Sequence, residues 1–247
     1  MLLAEPPKTG ADVEFSIGDI PVRIHPLFWI FTLMPMLDNR AFDSLLAGCW
    51  LLVVLISVLV HELGHAVTAR YFGARPWITL YAFGGLAAYR PQDLDPRFDP
   101  TARSLLISFA GPAAGFLLAA LTSGVLLLAG FQVHLTGITV EIDERLNDIH
   151  PYLYFFLRQL LFVNIIWGLL NLLPIYPLDG GQMLQAILVR TMGSAGMVQT
   201  FLSGILLGGA VAFYGAFSMR NSFLAILFGY IAFQNYQLYE AFRHRRW

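Results

Sequence analysis

Leu45-Leu-Ala-Gly-Cys-Trp-Leu-Leu-Val-Val-Leu-Ile-Ser-Val-Leu-Val60 is an apolar run without a charge, and it ends on His61-Glu62-Leu63-Gly64-His65. A run of that length, continued through the motif, is long enough to cross a bilayer as a helix. On a helix, residues i and i+4 share a face, so His61 and His65 can offer two imidazoles to one metal ion. Glu62 lies beside them as a proton acceptor. Titratable side chains at membrane depth are costly, and their presence there points to function.

The rest of the chain agrees with that solvent. Of its 247 residues 57% are hydrophobic and 13% charged, and the mean hydropathy is +0.64. The apolar residues cluster in long runs, as in a multi-span membrane protein. A net charge of −1 carries no basic field, so no nucleic-acid partner is expected. Cys49 is the only cysteine, so there is no disulfide framework. The first residues, MLLAEPPKTG, lack the pattern of a secretory signal, and no cleavage is expected.

Six stretches are candidate spans: Ile24 to Leu37, Ser44 to Tyr71, Leu105 to Val133, Tyr152 to Leu173, Val198 to Phe217 and Phe223 to Tyr239. Six spans place both termini on one side. Lys8, Arg23, Arg70, Arg75, Arg90, Arg97, Arg103, Arg190, Arg243, Arg245 and Arg246 fall there, against Arg40, Arg145, Arg158 and Arg220 opposite. This bias makes the terminal side cytoplasmic. The opposite loop, Thr136 to Pro151, is acidic through Glu141, Asp143, Glu144 and Asp148. The expectation is an all-α polytopic membrane protein forming one membrane-embedded domain over 1–247. It has a cytoplasmic segment at 1–23, a basic cytoplasmic tail at 240–247, and no appended regulatory domain.

A second constellation follows the fourth span, in Asn171-Leu-Leu-Pro174-Ile-Tyr-Pro177-Leu-Asp179-Gly180-Gly181. Two prolines and a glycine pair cannot continue a helix, so the backbone here is irregular and carries one acidic residue. Irregular backbone at membrane depth must be buried in protein or line a water-filled cavity. His61 lies about 24 Å down its helix from Leu45, and Leu160 to Leu173 descends about 20 Å before the helix breaks. Asp179 thus reaches the depth of the His pair, toward the cytoplasmic face, and becomes the candidate third ligand.

Together, these pieces resemble the site-2 protease family of intramembrane zinc metalloproteases. The resemblance rests on His61-Glu62-Leu63-Gly64-His65 in the second span and Asn171-x-x-Pro174-x-x-x-Leu178-Asp179-Gly180 after the fourth. It extends to Arg23-Ile24-His25-Pro26, Gly84-Gly85 and Ala110-Gly111-Pro112. It implies a six-span core, one Zn2+ held by His61, His65 and Asp179, and Glu62 as catalytic base. The substrate it implies is a single-pass membrane protein cut near the cytoplasmic side of a bacterial or archaeal membrane. Regulation would then come from a separate protein. This chain has Gly115 where the family's Gly-Pro motif often reaches an Asn, and Tyr176 where the family frequently has Pro.

Two His and one carboxylate leave the fourth position of tetrahedral zinc open to water, as a catalytic site requires. Asn171 is placed to bond the substrate backbone or the developing oxyanion. Asn164, seven residues earlier, is read on the same face as an interhelical hydrogen bond. Trp77 to Tyr89, rich in aromatic and β-branched residues around Gly84 and Gly85, reads as a small hairpin between spans two and three. Its open edge could accept an extended peptide, and the resemblance makes it re-entrant. Gly111-x-x-x-Gly115 and Gly204-x-x-x-Gly208 read as internal helix packing, with a dimer face as the other use. His25, His134, His150 and His244 read as interfacial or surface residues. Two further readings stay open. One is the CAAX-type protease, which needs a Glu ligand that only Glu141, Glu144 or Glu240 could supply. The other is an ion or proton relay, or an inactive scaffold, using His61, Glu62 and Asp179.

Overall fold

The computed structural model describes residues 5–37, 43–82, 84–136 and 139–244. Arg40, Arg245 and Arg246, used above for orientation, lie outside them. In chain order the elements are β1 (Val13–Ile17), β2 (Ile20–Ile24), α1 (Pro26–Leu37), α2 (Ser44–Tyr71), β3 (Trp77–Tyr81), β4 (Gly84–Ala88) and α3 (Pro100–Leu128). Next come β5 (Val133–Thr136), β6 (Thr139–Ile142), α4 (Arg145–Ile149) and α5 (Pro151–Phe162). A π turn at Val163–Trp167 leads into α6 (Gly168–Asn171), and α7 (Asp179–Met192), α8 (Ser194–Phe217) and α9 (Ser222–His244) complete the chain.

Among the described residues, four helical segments are long and apolar enough to cross a membrane: Ser44–Tyr71, Pro100–Leu128, Pro151–Asn171 and Ser194–Phe217. No more than a third of the most apolar window of each is buried. Leu45, Leu117, Leu121, Leu206 and Phe213 all face outward. Water would penalise that much exposed hydrocarbon, whereas lipid is its natural solvent. The other two expected spans differ from these four. The helix α1 has 12 residues, about 18 Å against a hydrocarbon core of about 30 Å. In α9 the apolar run is interrupted by Gln234, Asn235, Gln237 and Glu240.

The third helix stops earlier than Val133. Gly130 takes φ +84°, its N–H bonds the Leu127 carbonyl and the Phe131 N–H bonds that of Leu126. These two bonds make a Schellman cap, which a left-handed glycine favours. Beyond it, β5 and β6 pair antiparallel, so the connection from α3 to α5 holds a hairpin and the short α4. Val140, Ile142 and Leu146 cluster there with Ala119, Leu126 and Leu161.

β structure is also more extensive near the N-terminus than one hairpin. The sheet order is β1-β2-β3-β4, with β2 and β3 parallel and the other pairs antiparallel. Val13–Ile17 and Ile20–Ile24 supply its first two strands, which the sequence reading did not anticipate. Ile20, Val22 and Ile24 alternate onto one face and pack with Ile78, Leu80, Val58 and Ala66. That period of two was visible in Ile20-Pro-Val-Arg-Ile24. On the opposite face Arg23 bonds Asp12 and Glu5, at 3.0 and 2.8 Å, and Thr79 donates to Glu5 at 2.6 Å. The segment before β1 is thereby fastened to the sheet.

Contacts divide the chain into two compact units. One comprises Met1–Pro96 and Ala110–Gly168, the other Arg97–Phe109 and Leu169–Trp247. In the first, the sheet packs on α2. The core of the second includes Ile175, Phe228 and Ile231, and Arg190 of α7 pairs with both carboxylate oxygens of Asp99 at 2.6 Å.

Candidate metal centre

His61, Glu62 and His65 are all buried on α2. One turn apart, the two imidazoles bring their Nε2 atoms to 3.1 Å. Two Zn–N bonds of about 2.05 Å at a tetrahedral angle place their nitrogens about 3.3 Å apart, so the observed convergence suits the ion. Glycines keep this space clear. A Cβ at Gly111 would stand 2.2 Å from His65 Nε2 and 2.8 Å from His61 Nε2. At Gly64 it would meet the Ala110 carbonyl oxygen at 2.3 Å. The glycine inside the motif therefore lets α3 approach, and Gly111 on α3 gives the imidazoles their room.

Glu62 faces the sheet. The Leu80 carbonyl accepts the His25 N–H at 2.9 Å, so the polar groups of Leu80 point toward β2. Its antiparallel partner Gly85 then turns its own toward the opposite edge of β4, and Ala87 does the same. The Ala87 N–H donates to Glu62 Oε2 at 2.7 Å. Among the described residues no strand pairs with that edge. Gly85 presses on the same carboxylate: a Cβ there would lie 2.4 Å from Glu62 Cγ and 2.7 Å from Oε1. Gly84 has open space instead. Of the two glycines expected to line a peptide clamp, the structure sets one against Glu62.

Asp179 opens α7, where the helix dipole favours a negative charge. Its segment needs the two glycines that follow. A Cβ at Gly180 would stand 2.1 Å from the Leu172 carbonyl oxygen, and one at Gly181 2.3 Å from Ile175 C and Tyr176 N. The first turn of α7 thus rests on bare backbone. His61 and His65 offer two imidazoles, and Asp179 offers a carboxylate. Two imidazoles and a carboxylate are a donor set that fits zinc. The Glu ligand that a CAAX-type site would need is not in this group.

Asn171 is buried at the end of α6. Asn164 is buried too, and its amide donates to Ser57 Oγ at 2.9 Å and to the Leu160 carbonyl at 2.8 Å. It ties the π turn to α2 as an interhelical bond. The π turn shifts the helical register by about one residue, or ~100°, so the two asparagines do not share a face as the spacing suggested. Both glycine pairs serve internal packing: Gly115 lies against Asn164, Gly204 against Asn235 and Gly208 against Ala232.

His25 departs from the surface reading. It is buried, and its Nδ1 accepts the Leu27 N–H at 3.2 Å. Pro26 has no N–H to offer at the first helical position, so His25 caps the next free donor of α1. Sequence reasoning overlooked Asn235 and Ser203, although an amide inside an apolar helix is itself a signal.

Comparison with known proteins follows the same lines. The sequence profile of peptidase family M50 matches residues 49–214. Zinc metalloprotease MJ0392 of Methanocaldococcus jannaschii is 30% identical over 184 residues, covering 72% of this chain and 46% of that protein. Stage IV sporulation protein FB of Bacillus subtilis is 28% identical over 166 residues, covering 67% and 46% respectively. The chain spans about half the length of the curated relatives it matches. Among solved structures, the site-2 protease from Methanocaldococcus jannaschii superposes with a TM-score of 0.59 at 24% identity. The match covers 92% of this chain and 95% of that one, and it shows a shared fold.

Proposed function

This chain belongs to peptidase family M50, and from that premise we propose that it is an intramembrane zinc protease. Its substrate is a single-pass membrane protein, cut in or near the transmembrane segment toward the cytoplasmic side. The observation that carries this reading is the pair of buried imidazole nitrogens 3.1 Å apart, with a buried carboxylate one residue along. His61, His65 and Asp179 would hold the zinc. When bound, the ion polarises a peptide carbonyl and brings the pKa of water to about 7.

The protein's own groups supply the remainder. The two imidazoles present their Nε2 atoms, and Gly111 leaves space for them. Glu62 takes the proton of the attacking water and later gives it to the leaving amine. Because Glu62 holds the Ala87 N–H at the open edge of β4, an extended peptide added along that edge competes for the same donor. It arrives beside the base, and Gly85 permits its close approach. A substrate helix must exchange its internal hydrogen bonds for new ones before it can be cut, and a strand edge provides them. Asn171 is assigned to the developing oxyanion. Spans formed by α1 and α9 complete a six-span core, with both termini cytoplasmic in a bacterial or archaeal cell membrane and the β3–β4 hairpin re-entrant.

Glu62→Gln tests the assignment well, because glutamine still accepts the Ala87 N–H but cannot take a proton. The chain and this variant are co-expressed with a panel of single-span membrane proteins. A fragment made only by the unaltered chain is the expected result, with zinc retained in the variant. Equal cleavage by Glu62→Gln would remove Glu62 from the chemistry.

A further inference from the structure

Between Asn171 and Asp179 the two prolines break the helical ladder, and each freed carbonyl needs a donor where water is scarce. Most find one nearby. The Leu173 carbonyl accepts the Ile175 N–H at 2.7 Å, that of Ile175 the Leu178 N–H at 2.8 Å, and that of Leu178 the Gln182 N–H at 2.9 Å. The Gln182 side chain donates to the Pro177 carbonyl at 3.1 Å. Two carbonyls instead use donors from distant sequence. Ser203 Oγ of α8 donates to Pro174 O at 2.6 Å, and Asn235 Nδ2 of α9 donates to Tyr176 O at 2.5 Å.

Asn235 is fully buried. Its Nδ2 also donates to the Ile231 carbonyl at 2.8 Å, so both amide hydrogens are engaged. Its Oδ1 is buried and accepts no hydrogen bond among the described residues. A side chain that keeps a buried acceptor unused, against the cost of desolvating it, is retained for its donors. A leucine of similar size would carry no such cost in an apolar helix. The seat is shaped for the amide as well: a Cβ at Gly204 would lie 2.3 Å from Oδ1 and 2.4 Å from Cγ.

We propose that Asn235 is a positioning residue for Asp179. It fixes the Tyr176 carbonyl, and Gly181 lies against the Ile175–Tyr176 peptide with no side chain between them, so the first turn of α7 follows that peptide. Asp179 begins that turn. The proposal deepens the metal reading above and rests on it.

The test uses the full chain in detergent with Asn235→Leu, which removes the donors, and Gly204→Ala, which keeps the amide but fills its seat. Zinc affinity is measured by chelator competition and coordination by the visible spectrum of the cobalt-loaded protein. Amide exchange over residues 172–182 is followed in metal-free protein. Each variant is expected to bind zinc about tenfold or more weakly, to shift the cobalt bands and to exchange faster over that segment. Exchange in α2 should not change, and the double variant should lose no more than Asn235→Leu alone. Unchanged affinity and exchange in both variants would overturn the proposal. So would faster exchange throughout the molecule, which would mark a general loss of stability. If the unaltered chain holds no zinc while both variants still loosen residues 172–182, Asn235 remains the pin and the metal reading fails.

Discussion

His61 and His65 stand on an uninterrupted helix of 28 residues, whereas Asp179 begins a helix only after seven residues that contain two prolines. On α2 the periodicity of the helix sets the positions of the two imidazoles, and the surroundings need only keep clear of them, which Gly64 and Gly111 do. In the seven residues before Asp179 no helical ladder runs, and Ser203 and Asn235 hold the backbone by hydrogen bonds from α8 and α9. The first region is vulnerable to atoms added, the second to donors removed. That difference explains why spacing in the sequence reveals the first site directly and the second only in part.

The largest effect should come from adding one carbon to the first region. Gly111→Ala places a Cβ into both imidazoles, and zinc affinity is expected to fall by about 100-fold or more as the rings turn away, read by chelator competition. Retention of wild-type affinity would break the contrast between the regions. A moderate effect is expected from Asn164→Ala, which removes a donor from the first region. The loss of its bond to Ser57 should lower stability by about 0.6–1.7 kcal/mol in reversible unfolding and leave zinc affinity within about twofold. A loss comparable with that of Asn235→Leu would show that α2 also needs hydrogen-bonded support.

The smallest effect concerns the attachment of the N-terminal segment to the sheet. The hydrogen bond from Thr9, and then the Arg23 guanidinium, lower the carboxyl of Asp12 from 3.8 to about 2. A lowered carboxyl pKa stabilises the folded form above the ordinary value, and that contribution disappears as pH falls from about 4 toward 2. Proteolysis around Lys8 should therefore be slow and constant from neutrality to about pH 5, accelerating only below about pH 4. Acceleration near pH 6 would point to a histidine and away from Asp12.

Much of this was legible in the sequence because some residues carry their geometry with them. An i, i+4 pair on a long apolar run fixes both the helix and the shared face. Pro174, Pro177 and Gly180-Gly181 mark where a helix cannot continue. The hairpin at Trp77–Ala88 followed from its composition. The β1–β2 strands, not anticipated from the sequence, depend on pairing with β3, a partner more than fifty residues away. The β5–β6 hairpin was hidden by the apolar residues that also extend α3 on paper, and the Gly130 cap was the overlooked signal. The π turn, the His25 cap and the Asn235 contact are tertiary or local-geometry effects without a spacing of their own.

Metal analysis of the purified chain tests the central claim most directly. The account predicts one zinc per unaltered chain, none in His65→Ala, and a stoichiometry well below one in Asp179→Ala, with each protein still folded. A folded, unaltered chain that takes up no zinc, or an Asp179→Ala variant that holds it as tightly as before, would contradict it.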